Sequence, residues 1–229
     1  MLENELRFER SLFFHLNGSE SAFLNDFFYL YSYKWTWILF YLCFLFIFVY
    51  KKNWKEIVCL LLAIVLLVFL CDQTASGFFK PFFHRFRPTH HPEFQAQVKT
   101  VLGYTGGLYG FMSSHASNAF GFAVFTALLF RKKLFTVMIF LFALVNIYSR
   151  VYLGVHFISD VVAGALAGSL IGYSIYRLYQ FARYKWLKLE ENSTAPLFSA
   201  WESNFLCSAF AVHLTILLLF SNQIVKILF

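Results

Sequence analysis

Seven side chains, Lys80, Arg87, Ser113, His115, Arg150, His156 and Asp160, carry the reactive chemistry of an otherwise largely apolar chain. Lys80 and Arg87 stand two helical turns apart, so a helical stretch would point them the same way, and Pro88 would stop that helix. His156 and Asp160 fall at i and i+4. In that register a carboxylate takes one ring N–H and leaves the other nitrogen free to act as nucleophile or base. His115 supplies a second titrating ring, suited to a departing oxygen. The cations Lys80, Arg87 and Arg150 have only Asp160 and Asp72 as nearby acids. Arginine forks and an ammonium left with so little counter-charge suit a dianionic phosphate. Ser113 adds a hydroxyl at the start of an apolar run, where backbone N–H groups point at an anion. Together these residues can carry out phosphoryl transfer without calling on a metal.

The elements that position them belong in a membrane. Of 229 residues, 59% are apolar, 22% aromatic and only 14% charged, with a mean hydropathy of +0.62. A soluble chain is about 45–50% apolar and about a quarter charged. The composition excludes a disordered chain, a disulfide-stapled secreted module and an ordinary cytosolic enzyme. The expected fold is all-α, an integral membrane bundle of six transmembrane helices with an N-terminal interfacial helix. The apolar segments are Trp35–Tyr50, Ile57–Cys71, Ala116–Phe130, Leu134–Tyr148, Ile158–Ile175 and Phe205–Phe220. Each falls somewhat short of the roughly 20 residues that a crossing needs. Polar or aromatic ends make up the difference: the first extends upstream through Phe27–Tyr33, the second runs on through Asp72 to Phe79, the third begins at Ser113, and the fourth reaches Tyr152. This divides the chain into a lead-in (1–33), a five-span core (34–180), a cytoplasmic linker (181–203) and a sixth helix (204–229). In the lead-in, Leu2, Leu6, Phe13 and Leu16 share a helical stripe into which Glu9 intrudes; a surface helix ending near Asn17-Gly18 is expected. The first 18 residues lack the basic and apolar regions of a secretory signal.

Lysine and arginine set the orientation. Lys51, Lys52 and Lys55, Arg131, Lys132 and Lys133, and Arg177, Arg183, Lys185 and Lys188 lie in loops that share one side in a six-span chain. With Lys80, Arg87 and Arg150 set aside as site candidates, these ten outnumber the six on the other side. The compact triplets mark the cytoplasmic side. The net charge of +7 is thereby read as topology, and no nucleic-acid partner is expected. The end of span two, the start of three, the end of four and the start of five then meet at the outer interface. All seven candidates converge there.

Lys80-x6-Arg87-Pro88, Ser113-x-His115 and Ser149-Arg150-x5-His156-x3-Asp160 resemble the three-part signature of the type 2 phosphatidic acid phosphatase superfamily. The resemblance covers residues 80–160. Its middle part departs from the family's usual Pro-Ser-Gly-His, since this chain has Met112-Ser113-Ser114-His115. The resemblance implies that His156 attacks phosphorus, Asp160 orients it, and His115 protonates the leaving oxygen and then activates water. It also implies that Lys80, Arg87, Arg150, Ser113 and the Ser114 amide hold the phosphate oxygens. No metal and no cofactor are expected, and activity should be bell-shaped in pH and indifferent to chelators.

Other polar residues have plainer readings. His84, Arg85, His90 and His91 read as an exposed basic loop at lipid headgroups, and Asp72 as an acid paired with Lys80 or Gln73. Cys43, Cys59, Cys71 and Cys207 read as small packing residues, Gly164, Gly168 and Gly172 as a tight helix contact, and Trp35 and Trp37 as belt residues. The expectation is a multi-pass enzyme of the cell (inner) membrane, its site facing the extracytoplasmic side, acting on a lipid phosphate or pyrophosphate. Undecaprenyl pyrophosphate is slightly favoured over phosphatidylglycerophosphate and phosphatidic acid. The alternatives are a lipid A phosphatase, a binding or transport protein without turnover, and, less favoured, a haloperoxidase.

Overall fold

The computed structural model describes residues 2–187 and 197–228 and is helical apart from short turns and one long loop, 84–113, which holds two 3-10 turns and one isolated bridge, Phe86 to Tyr109. Its α-helices are α1 Leu2–Leu16, α2 Ala22–Ser32, α3 Ile38–Val49, α4 Trp54–Asp72, α5 Lys80–Phe83, α6 Ser114–Phe130, α7 Lys133–Tyr152, α8 Ile158–Leu187 and α9 Ala200–Leu228. A π-helical segment, Gln73–Phe79, joins α4 to α5, so that Trp54–Phe83 runs as one 30-residue helix.

Four helices are long and apolar enough to cross a membrane: Trp54–Phe83, Lys133–Tyr152, Ile158–Trp186 and Ala200–Leu228. A fifth crossing is available if α2 and the helical stretch Lys34–Val49, bent by 69° at Tyr33, count as one span. The helix α6 is apolar but shorter, at 17 residues. Leu39, Leu62, Val65, Leu166, Leu170 and Leu219 are all more than half exposed on these helices. In water such surface would be a liability, but against hydrocarbon it costs nothing. The chain is a multi-pass membrane protein.

Three expectations are corrected here. The first span does not extend straight upstream, because the helix bends by 69° at Tyr33 and resumes as a 3-10 turn, Lys34–Trp37, in which Trp37 turns inward and donates its indole N–H to the Tyr31 carbonyl at 2.8 Å. Trp37 is therefore a core residue, 1% exposed and packed on Phe142, while Trp35 stays outside. The 181–203 stretch is largely helix at its described ends: α8 continues to Leu187, and α9 begins at Ala200 behind a reciprocal cap of Ser199 and Glu202. Residues 188–196 of that stretch, including Lys188, lie outside the described residues.

The closest helix pair is α6 with α8, and glycines are the reason. A Cβ on Gly164 would meet the Ser113 carbonyl oxygen at 2.5 Å, one on Gly168 the Ser117 oxygen at 2.1 Å, and one on Gly172 the Gly121 oxygen at 2.4 Å. The glycine run thus lets two backbones touch. Its first member lies beside the start of α6, so the contact also fixes the Ser113–His115 segment against the start of α8. The cysteines are free thiols, with Cys59 and Cys71 buried in the core.

Candidate active site

The three signature segments come together at one end of the bundle through hydrogen bonds between each pair. Lys80 Nζ donates to Ser114 Oγ at 2.7 Å, joining the first segment to the second. The Ser113 N–H donates to the Asp160 carbonyl at 3.0 Å, joining the second to the third. Arg87 donates to the Val155 carbonyl at 3.4 Å, joining the first to the third. Residues up to 80 positions apart therefore share one small volume.

Its centre is His156, in the short turn between α7 and α8, with Asp160 in the first turn of α8. They are 1% and 0% exposed, and His156 Nδ1 lies 3.3 Å from Asp160 Oδ2, an oxygen that also accepts the Phe157 N–H at 3.0 Å. Burial first, and then the charges of Arg87, Arg150 and Lys80, push the His156 ring well below the ordinary histidine range. At neutral pH it is an uncharged imidazole. Burial and the Arg150 charge also lower Arg87, to about 10, which leaves it a cation at neutral pH.

The cations are held by neutral oxygens. Besides Ser114, Lys80 donates to Ser76 Oγ at 3.0 Å, from the π-helical segment. Arg87 donates through Nε to the Tyr109 carbonyl at 3.1 Å. Its guanidinium sits so close to Gly106, at φ +68°, that a Cβ there would lie 2.5 Å from Nη1. Arg150 donates to Ser32 Oγ and, at 2.8 Å, to Tyr104 Oη, while its buried Nε has no partner among the described residues. None of the three forms an ion pair among the described residues. Three cations with unspent charge around a neutral histidine form a receptor for an anion.

His115 projects into open space shared by two cavities. One, of about 260 Å³, is lined by Tyr29, Ser32, Tyr33, Tyr104 and Arg150. The other, of about 590 Å³, is an apolar cleft between α3 and α4 walled by Tyr41, Phe44, Leu61, Ile64 and Phe122. Lys34 lines both. Among the described residues no three His, Cys, Asp or Glu side chains gather as a metal site.

The two serines differ from expectation in how they are used. Ser113 is fully buried and caps α6, accepting the Ala116 N–H at 3.4 Å, whereas Ser114 turns its hydroxyl to Lys80 and the cleft. Asp72 makes no direct ion pair among the described residues; it accepts from Ser76 at 3.5 Å, and Ser76 in turn meets Lys80. Arg85 is the larger correction. It is no headgroup contact, because it donates to Asp160 Oδ1 at 2.9 Å and to Glu9 Oε2 at 2.7 Å. Glu9, the residue that spoiled the apolar stripe of α1, thus faces the site. His84, His90 and His91 pack within their own loop, against Tyr109, Thr89 and Phe94 respectively. Asn118 and Asn146, each with a buried side-chain oxygen lacking a partner among the described residues, also line the apolar cleft and had no signal in the sequence.

The chain is similar to known proteins in sequence and in fold. The PAP2 superfamily pattern matches residues 56–184. A lipid A 4'-phosphatase of Porphyromonas gingivalis is 48% identical over 186 residues, covering 81% of this chain and 79% of that protein. A lipid A 4'-phosphatase of Bacteroides thetaiotaomicron is 36% identical over 177 residues, covering 77% and 79%. Among solved structures, Aquifex aeolicus LpxE superposes with a TM-score of 0.54 at 30% identity, over 73% of this chain and 93% of that one. A PAP2-type phosphatidylglycerolphosphate phosphatase of Bacillus subtilis superposes with a TM-score of 0.57 at 20% identity, over 76% and 86%, which speaks to the fold alone. The pattern covers more than half the chain and contains every one of the paired cationic and histidine segments: the protein is a membrane lipid phosphatase belonging to the PAP2 superfamily.

Proposed function

We propose that the chain hydrolyses a phosphate ester on the sugar headgroup of lipid A, by way of a phosphohistidine on His156. The observation that carries the chemistry is the neutral, carboxylate-oriented His156 surrounded by three cations that have no carboxylate partners among the described residues. Asp160 holds Nδ1, so the opposite ring nitrogen attacks phosphorus as the bond from phosphorus to the leaving oxygen breaks. His115 gives its proton to that oxygen. It then takes a proton from the water that attacks the phosphohistidine, which releases inorganic phosphate and restores His156. Lys80, Arg87 and Arg150, with the Ser114 hydroxyl, stabilise the charge that builds on the equatorial oxygens. Ser113 serves from behind by fixing the start of α6.

Lipid A takes precedence over undecaprenyl pyrophosphate because both curated relatives carry a lipid A 4'-phosphatase name. The cavities support the same choice. The leaving alcohol belongs on the His115 side, where the smaller cavity offers tyrosines and hydroxyls to a sugar ring and the apolar cleft takes acyl chains. We further infer six crossings, with α6 and the bent α2–α3 pair added to the four long helices, and a site on the extracytoplasmic side, opposite the basic loops.

Phosphate release by the purified protein should be measured on lipid A, undecaprenyl pyrophosphate, phosphatidylglycerophosphate and phosphatidic acid. The expected outcome is the highest kcat/KM on lipid A. A preference for one of the other lipids reassigns the substrate, and release from none of them rejects the reading.

A further inference from the structure

We propose that Glu9 of α1 is a positioning residue for the phosphatase site, holding Arg85 against Asp160 so that Asp160 can hold His156. The inference rests on the roles assigned to His156 and Asp160 above. Glu9 lies outside the residues matched by the superfamily pattern, so nothing in that pattern assigns it a part.

The contacts form a closed ring. Glu9 Oε2 accepts from Arg85 Nη2 at 2.7 Å, and Glu9 Oε1 accepts the Ser159 N–H at 2.8 Å, in the first turn of α8. Arg85 Nη1 then donates to Ser159 Oγ at 2.5 Å and to Asp160 Oδ1 at 2.9 Å, with its guanidinium 4.5 Å from the centre of the Phe157 ring. The docking of α1 is firm. Phe13 is fully buried against Phe157, and the Asn17 side chain bonds the Lys99 and Tyr152 carbonyls at 3.0 and 2.9 Å. The Glu9 and Arg85 side chains are only 16% and 25% exposed, so solvent screens the contact weakly.

Charge sharing gives the arrangement its consequence. Asp160 divides its acceptor capacity among Arg85, the Phe157 N–H and His156, and the contact to His156, at 3.3 Å, is the longest of the three. An arginine with no other carboxylate would draw Asp160 into a tight one-to-one pair, and the longest contact would be lost first. Glu9 takes one face of the guanidinium and fixes the other, which leaves Asp160 Oδ2 turned to the imidazole.

The test is kinetic and spectroscopic on the full chain. Glu9→Gln should lower kcat about tenfold with KM changed less than about twofold, the size of effect that outer partners of a catalytic ligand have, and Glu9→Asp should retain part of the rate. In an Arg85→Ala background, Glu9→Gln should cost nothing further, because the two act as one unit. Nitrogen NMR of His156 in the detergent-solubilised protein needs no substrate. It should find the Nδ1-protonated tautomer dominant in the wild type and diminished in Glu9→Gln. A wild-type kcat in Glu9→Gln, an equal loss in the Arg85→Ala background, or an unchanged tautomer overturns the proposal. If the wild type releases phosphate from no lipid, the functional reading falls, and the tautomer measurement still decides the positioning role.

Discussion

The two ends of the bundle use the same residue types in opposite ways. At the end away from the site, two cations are spent. Lys52 pairs with Glu202 at 2.9 Å, and Arg183 with Glu56 at 2.8 Å, where Tyr179 also bonds the Glu56 carboxylate. Those contacts tie α8 to α4 and α9 to the turn before α4. At the site end, Lys80, Arg87 and Arg150 rest on hydroxyls and carbonyls, and the carboxylate among them, Asp160, is committed to Arg85 and His156. A paired cation contributes to holding helices together; a cation solvated by neutral dipoles keeps its field for a ligand. The difference between a clasp and a binding site here lies in where the carboxylates are placed, not in the cations.

The comparison breaks most visibly at Arg150. Arg150→Gln should reduce kcat/KM about a hundredfold or more, since it removes a preorganised charge from the transition state. Phosphate release on the lipid that the wild type prefers checks this. Giving the site end a carboxylate of its own should act in the same direction. Ser114→Asp would pair Lys80 and convert receptor into clasp, lowering kcat/KM by about tenfold or more while the protein remains folded; a competition assay with inorganic phosphate should show weaker binding in parallel.

The acidity of His156 gives a pH test. Its ring is pushed below the ordinary histidine range, so on the acid side the nucleophile stays neutral and active below pH 6.5, and activity is lost as pH falls through the depressed value. A kcat/KM profile, corrected for the second ionisation of the substrate phosphate near about 6, should show its enzyme-derived acid limb below that range. A limb at or above 6.5 contradicts the assignment. The smallest effect on activity should come from the clasp. Arg183→Ala strips a buried carboxylate of its cation and should cost about 1–3 kcal/mol of stability, seen as a lower Tm, while kcat stays within about threefold of wild type.

Much of the site was legible because spacing and topology both spoke for it. The i, i+4 relation of His156 and Asp160, the positions of Lys80 and Arg87 near the end of one apolar run, and Ser113 and His115 at the start of the next all placed side chains at one depth. In the structure the segments that carry them meet through the Lys80–Ser114, Ser113–Asp160 and Arg87–Val155 hydrogen bonds. Ser113 and Ser114 could not be told apart in the same way, since either can cap a helix, and only the cap geometry at Ala116 shows which one does. Arg85 had no periodic context, sitting in a loop among histidines. Its partner Glu9 is 76 positions away, and no local pattern links residues so far apart. Trp37 was misread for a related reason: an aromatic at the end of an apolar run looks like a belt residue until a bend in the helix turns it inward.

By itself the sequence determined that the protein is a helical membrane bundle and that one end of it carries phosphoryl-transfer chemistry. Both follow from burial and periodicity, which act along the chain and leave their mark in composition and spacing. Only the tertiary structure decided which cations are neutralised, which serine faces the cleft, and that α1 reaches Asp160 through Arg85. Those outcomes depend on distances of a few ångströms between separate helices, where the strength of a charge or a hydrogen bond is set by what lies opposite in space.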